Sequence, residues 1–235
     1  MVAMIVSIVI PVYNEERTIA EILERVINAD VCGLEKEIIV VDDGSTDNTV
    51  FFLQQAKQKW DGITLFYHNS NKGKAEALKT GFSLAHGDIF IIQDADLEYD
   101  PSDYTKLLEP IVSGRADVVF GSRFYSRKRP QGMPLIRYFC NRFLSFLCNI
   151  IYHINISDME TGYKVFTRKV LDEIKIYSDR FDFEPEFTIQ AARKKFRIAE
   201  VGINYNYRTF SEGKKITFFD GISAIFTIVK MRFRR

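Results

Sequence analysis

Asp94 and Asp96 flank a single alanine, Ala95. In extended chain that spacing turns both carboxylates to one side. Hard oxygen ligands so placed suit Mg²⁺ or Mn²⁺, with a phosphate completing the octahedron. An isolated Asp-x-Asp more often caps the helix that follows it. Two features favour the metal here: the pair follows the apolar run Asp88–Ile92, and a second acidic pair, Asp42-Asp43, ends another such run, Glu37–Val41. Like charges packed together repel and need a cation or hydrogen-bond donors. Asp42 and Asp43 also read as a turn leading into a helix. The two roles are compatible, with Asp47 capping while Asp42 or Asp43 faces a ligand.

Pro11-Val12-Tyr13-Asn14-Glu15 closes the first apolar run, and Gly121-Ser122-Arg123 closes the fifth. Ligands of open α/β sheets bind beyond the carboxyl ends of the strands, so these polar ends mark a pocket. No Gly-x-Gly-x-x-Gly follows the first run, and no Gly-x-x-x-x-Gly-Lys-Ser/Thr occurs anywhere. A dinucleotide site and a P-loop are both disfavoured, which leaves a metal and basic side chains to hold a diphosphate. Cys32, Cys140, Cys148, His68, His86 and His153 lie far apart or at non-ligand spacings. A zinc site and a disulfide framework are not expected, and a reducing cytosolic compartment fits.

The elements that position these residues fall into two patterns. Ile5–Ile10, Glu37–Val41, Ile63–Tyr67, Asp88–Ile92 and Ala116–Phe120 are near-continuous apolar runs, the mark of strands buried on both faces. Between them, Glu15–Ile27, Asp47–Trp60, Lys74–Ala85 and Ser102–Val112 are amphipathic, with Asn14, Asp47 and Ser102 where N-caps would sit. The succession predicts a doubly wound, mostly parallel α/β sheet flanked by helices. After about residue 126 a basic, turn-rich loop leads to a broadly apolar helix at Pro134–Ile151. A strand at Thr161–Thr167, a helix at Phe187–Lys195 and a strand at Arg197–Tyr207 follow. The tail Thr217–Arg235 reads as an amphipathic helix with a basic end at Lys230, Arg232, Arg234 and Arg235.

The 235 residues are 46% hydrophobic and 27% charged, which excludes global disorder. Thirty-two Lys and Arg against 31 Asp and Glu give a net charge of +1, so no nucleic-acid partner is expected. Met1–Val12 lacks the basic start and cleavage site of a signal peptide, and no apolar stretch reaches the ~18 residues of a membrane span.

Taken together the motifs resemble the family 2 glycosyltransferases of GT-A fold, in particular the polyprenyl-phosphate (dolichyl-phosphate) mannosyl- and glucosyltransferase branch. They are Ile10–Glu15, Val41–Asp47, Asn71-Lys72-Gly73-Lys74, Asp94–Glu98, Gly121–Arg123, Asp158–Lys164 and Arg208–Ile216. The resemblance implies a catalytic domain over 1–216, with a nucleotide-sugar half (1–125), an acceptor half (126–216) and a basic tail (217–235). It implies that Pro11, Tyr13 and Glu15 hold the nucleoside, that Asp42 or Asp43 contacts base or ribose, and that Lys74 and Ala95 join the donor site. Asp94 and Asp96, with Glu98 close by, would bind Mg²⁺ or Mn²⁺ on the diphosphate. Arg123, Arg208 and Lys215 would gather phosphate oxygens, and Arg123 and Arg137 would face the acceptor phosphate. Phe183-Glu184-Pro185-Glu186 falls where the branch places an acidic helix start, with Glu184 and Glu186 read as caps.

The activity so implied moves a hexose from a nucleotide sugar to a polyprenyl or dolichyl phosphate. GDP-mannose is the first donor expected, and UDP-glucose or another UDP-sugar the alternative. A phosphate monoester, with a second pKa of roughly 6, is already a dianion at neutral pH. It needs positioning rather than proton removal, and direct displacement inverts the anomeric centre. A saccharide hydroxyl would need a base, for which Asp158 and Glu160 stand available. A catalytically silent nucleotide-sugar-binding scaffold is the non-enzymatic alternative. A lipid acceptor requires contact with a membrane surface, expected at its cytoplasmic face through Pro134–Ile151 and the tail. The competing roles for these helices are packing on the core and, for the tail, a homodimer interface.

Overall fold

A computed structural model describes residues 4–126, 128–178, 182–209 and 218–233. The chain runs β1 (Ile5–Val12), α1 (Ile19–Asn28), β2 (Glu35–Asp42), α2 (Thr49–Lys59), β3 (Ile63–Tyr67), α3 (Lys74–Leu84) and β4 (Ile89–Ile92). A short 3-10 turn at Pro101–Asp103 leads into α4 (Tyr104–Val112), followed by β5 (Val118–Ser122) and α5 (Leu135–Tyr152). Then come β6 (Lys164–Thr167), α6 (Arg168–Glu173), α7 (Phe183–Arg193), β7 (Ile198–Gly202) and α8 (Phe218–Phe233). The sheet order is β3-β2-β1-β4-β6-β5-β7. β1 pairs in parallel with β2 and β4, β2 with β3, and β5 with β7, while β6 runs antiparallel between β4 and β5. This is the expected doubly wound, mostly parallel sheet.

Successive strand residues face opposite sides of a sheet. On β1, Val6, Ile8, Ile10 and Val12 enter one core with α1 and α4, whereas Val9 enters the other with α3 and α7. Each such aliphatic side chain taken from water contributes about 1.5–3 kcal/mol. A third, smaller core lies where α5, α7 and α8 meet, around Leu144, Cys148, Ile189, Ala224 and Ile228.

Several boundaries differ from expectation, for local reasons. Asn14 does not cap α1. It has a left-handed φ of 51°, and its side-chain oxygen accepts the Thr46 N–H at 2.8 Å, so the helix starts only at Ile19. Asp47 lies one residue before the N-cap of α2, which is Asn48, though its carboxylate does accept the Thr49 N–H at 2.9 Å. Ser102 is not a cap; its own N–H is taken by Asp100 at 2.9 Å, which sets the 3-10 turn ahead of α4. β6 begins at Lys164 rather than Thr161, and β7 ends at Gly202. Beyond β7 the chain turns to the sheet's rim, where Asn204 N–H donates to Asp103 at 2.6 Å.

Candidate functional site

The carboxyl ends of β1, β2, β4 and β5 open into a cleft of about 760 Å³. Pro11, Tyr13 and Glu15 line it after β1, Asp43 after β2, Asp94, Ala95, Asp96 and Glu98 after β4, and Arg123 after β5. Lys74, Arg137 and Arg208 line it from three other segments. Residues separated along most of the chain thus share one cavity, as strand ends of an open sheet allow.

The Asp94–Glu98 loop is its acidic floor. Asp94 Oδ1 receives the Lys74 ammonium at 2.8 Å. Its Oδ2 lies where a side chain on Gly162 would be, only 2.3 Å from an ideal Cβ there. Asp96 accepts the Glu98 N–H at 3.1 Å. Burial, then the Glu98 and Asp94 charges, raise the Asp96 carboxyl above its ordinary range. Glu98 accepts the Arg208 N–H at 2.8 Å. Support comes from below: fully buried Gln93 accepts the hydroxyls of Tyr104 (2.9 Å) and Tyr163 (2.8 Å). The Tyr99 hydroxyl accepts the Gly162 N–H at 2.9 Å.

Among the described residues no three His, Cys, Asp or Glu side chains are gathered as a ready metal cage. Asp94 and Asp96 nevertheless fit a hard divalent cation. They are oxygen donors, and Asp96, desolvated beside the Glu98 and Asp94 carboxylates, leaves a demand for positive charge. Oxygens of an incoming phosphate would complete such a site.

The second acidic pair divides its labour. Asp43 faces the cleft, yet its oxygens accept Lys72 N–H (2.9 Å), Gly73 N–H (2.8 Å) and His68 Nδ1 (2.7 Å), so it shapes the loop ahead of α3. Asp42 is 1% exposed and sits behind the lining residues; one oxygen accepts Ser45 N–H at 3.1 Å, and the other has no partner among the described residues. Glu15 receives the Arg208 guanidinium at 2.7 Å, closing the segment after β7 onto the end of β1.

Arg123 is held rather than loose. Asp158 accepts its Nε and Nη2, both at 2.7 Å, and its backbone N–H at 3.0 Å. The guanidinium lies over Tyr205. Glu200 fixes the turn behind Asp158 by accepting the Ser157 N–H at 2.8 Å and the Asp158 N–H at 3.1 Å. Asp158 is fully buried and spent on this pair, whereas Glu160 lines the cleft. Burial, and then the Glu184 charge, raise the Glu160 carboxyl. Lys164, fully buried beside it, is lowered by burial.

A family model for glycosyl transferase family 2 matches residues 7–175. The chain belongs to that family. It is a glycosyltransferase, and its sheet is the GT-A fold. A dolichol-phosphate mannosyltransferase of Pyrococcus furiosus is 29% identical over 229 residues, covering 96% of this chain and 64% of that protein. A UDP-N-acetylglucosamine–dolichyl-phosphate N-acetylglucosaminyltransferase of Methanococcus voltae is 27% identical over 246 residues, covering 97% and 96%. Among solved structures, glucosyl-3-phosphoglycerate synthase from Mycobacterium tuberculosis, in complex with Mn²⁺, UDP-glucose and phosphoglyceric acid, shares the fold with a TM-score of 0.74. Its identity is 21%, over 97% of this chain and 80% of that one.

The family 2 cleft also has an apolar wall that the motifs did not reveal. Ile136, Phe143 and Leu144 of α5 and Ile222 and Ile225 of α8 line it. Both helices carry further apolar side chains outward: Phe139 is 61% exposed, Phe146 58% and Phe226 63%. Leu135, Phe139, Phe143, Phe146 and Ile150 recur at helical spacing, so that spacing was the available signal. Among the described residues no helix is long and apolar enough to cross a membrane. Glu184 and Glu186 are not alike, and neither caps α7, whose N-cap is Asp182: Glu186 accepts N–H groups of Tyr177 and Ser178, while Glu184 lines the cleft and receives Lys74 at 2.9 Å. Lys215, Arg234 and Arg235 lie outside the described residues.

Proposed function

We propose that this chain transfers a hexose, with inversion and with a divalent metal, from a nucleotide sugar to a dolichyl or polyprenyl phosphate. The observation that carries this reading is a single cleft with a carboxylate floor at Asp94 and Asp96 and an apolar wall from α5 and α8. One end suits a diphosphate and the other a hydrocarbon chain.

Asp94 and Asp96 would hold Mg²⁺ or Mn²⁺, which neutralises charge developing on the departing diphosphate. Pro11, Tyr13 and Glu15 bound the nucleoside end of the cleft, with Asp43 toward base and ribose; Asp42, buried behind the lining, supports the turn through Ser45 instead of touching the nucleoside. Ala95, 4% exposed between the two carboxylates, lets the donor approach the floor closely. Arg208 and Lys215 contribute positive charge to the donor phosphates, and Lys74 does so beside Asp94. Arg123, oriented by Asp158, and Arg137, on the first turn of α5, steer the acceptor phosphate. Fixed donors of this kind stabilise charge without reorganising during the reaction. The acceptor dianion attacks directly and no general base is required.

GDP-mannose is the first donor to test, its sugar supported by the Pyrococcus relative's name; UDP-sugars come second, supported by the Methanococcus relative and the Mycobacterium complex. A hydroxyl acceptor would call on Glu160, because Asp158 is fully committed to Arg123. The exposed apolar faces of α5 and α8, with Lys230 and Arg232 in the last turn of α8, suit a peripheral seat on a membrane, at its cytoplasmic face.

The test incubates the protein with Mn²⁺, a short polyprenyl phosphate and, separately, labelled GDP-mannose, UDP-glucose and UDP-N-acetylglucosamine. Labelled β-linked lipid is expected with one donor. Absence of labelled lipid with every donor overturns the proposal.

A further inference from the structure

Lys74 and Glu184 are 110 positions apart in the chain and meet at the floor of the cleft. Lys74 is the first residue of α3. Its placement is fixed by the preceding residues, because Asp43 takes the N–H groups of Lys72 and Gly73. Gly73 holds a φ of 101°, which a residue with a side chain rarely adopts. The ammonium so delivered lies 2.8 Å from Asp94 Oδ1 and 2.9 Å from Glu184 Oε1, and all three side chains are largely withdrawn from solvent. On its other side Asp94 is wedged against Gly162. One carboxylate oxygen of the aspartate is therefore already occupied by a cation belonging to the protein.

We propose that Lys74, held by Glu184, is a resident counter-cation that competes with the divalent ion for Asp94. The ion then binds tightly only together with a nucleoside diphosphate. This deepens the metal-dependent reading of the same site and rests on it. The argument is electrostatic. A divalent ion arriving alone meets an ammonium at contact distance from the oxygen it needs. A diphosphate arriving with it brings negative oxygens that accept the ammonium's N–H groups, of which there are three. Glu184 shares the ammonium with Asp94 and remains its partner when the diphosphate arrives, so the exchange stays local. Lys74 and Glu184 are thus positioning residues that tie metal loading to donor loading, and a metal-loaded, donor-free enzyme is disfavoured.

The experiment measures Mn²⁺ binding by loss of the free-ion electron paramagnetic resonance signal, with and without GDP, on the whole chain. Wild type is expected to bind Mn²⁺ weakly alone and much more tightly with GDP. Lys74→Met should tighten binding of Mn²⁺ alone by about tenfold or more, since a neighbouring opposite charge shifts a competing equilibrium by ~1–3 pK units. It should also narrow the effect of GDP. Glu184→Gln should move binding of Mn²⁺ alone the other way, because Asp94 then becomes the ammonium's sole carboxylate partner. Lys74→Arg should restore wild-type behaviour. A purely structural contact would shift both variants in one direction, and that result overturns the proposal. So does a Lys74→Met protein that binds Mn²⁺ alone no better than wild type. Should Lys74→Met fail to fold, the sign of the Glu184→Gln shift decides. Wild type binding no Mn²⁺ even with GDP or UDP defeats the metal reading itself, an outcome distinct from metal binding that is indifferent to Lys74.

Discussion

Replacing Gly162 by alanine adds a single methyl group at the floor of the cleft. Its Cβ would lie 2.3 Å from Asp94 Oδ2 and 3.1 Å from the Tyr99 ring. Ordinary contact begins near 3.4 Å, so the carboxylate oxygen has to retreat by the difference, about 1 Å. Retreat is opposed on the far side, where Lys74 grips Oδ1 at 2.8 Å. A displacement of ~1 Å in a positioned group can cost on the order of 100-fold in rate. Gly162→Ala should therefore lower kcat for sugar transfer by about that factor, with KM for the lipid acceptor little changed. The assay follows labelled lipid formation across donor and acceptor concentrations, with a thermal melt to confirm that the fold survives. Gly62→Ala is the matched control, since nothing lies within 4 Å of its added Cβ. A Gly162→Ala enzyme with wild-type kcat would refute the claim that Asp94 must sit where it does.

Three further outcomes are expected. Asp158→Asn strands the buried Arg123 guanidinium, whose side chain is 8% exposed, and should cost about 3–5 kcal/mol in chemical denaturation; a loss below ~1 kcal/mol would contradict the pairing. Glu160 is raised by burial, so the folded state keeps a proton that the unfolded state releases. Stability conferred by that proton is lost as pH climbs from about 4.5 towards about 8, and Glu160→Gln should flatten this decline in Tm; parallel curves for the two proteins would count against it. Phe139→Ser combined with Phe226→Ser removes two exposed rings, each worth up to ~1.5–3 kcal/mol when buried. Sedimentation with anionic vesicles should fall by about an order of magnitude or more at unchanged Tm, and unchanged sedimentation would reject a membrane-facing role for α5 and α8.

The fold was legible because its signals are local. Continuous apolar runs such as Ile38–Val41 and Ile89–Ile92 announce strands buried on both faces, and the polar residues just beyond them announce the cleft. Helix starts were less legible. Asn14 looks like a cap in the sequence, but its oxygen is claimed by Thr46 across the cleft rim. A competing tertiary hydrogen bond cannot be seen from neighbouring residues.

The sequence alone determined which groups carry charge at the site, and in what order the strands bring them. Types and short spacings suffice for that, as with Asp94 and Asp96. Only the tertiary structure decided what each charge is doing. Arg123 is clasped by Asp158, Arg208 reaches Glu15 across 193 positions, and Lys74 lies between Asp94 and Glu184. The physical reason is that an ion pair depends on distance through space and on exclusion of water. Neither is encoded in the separation of two residues along the chain.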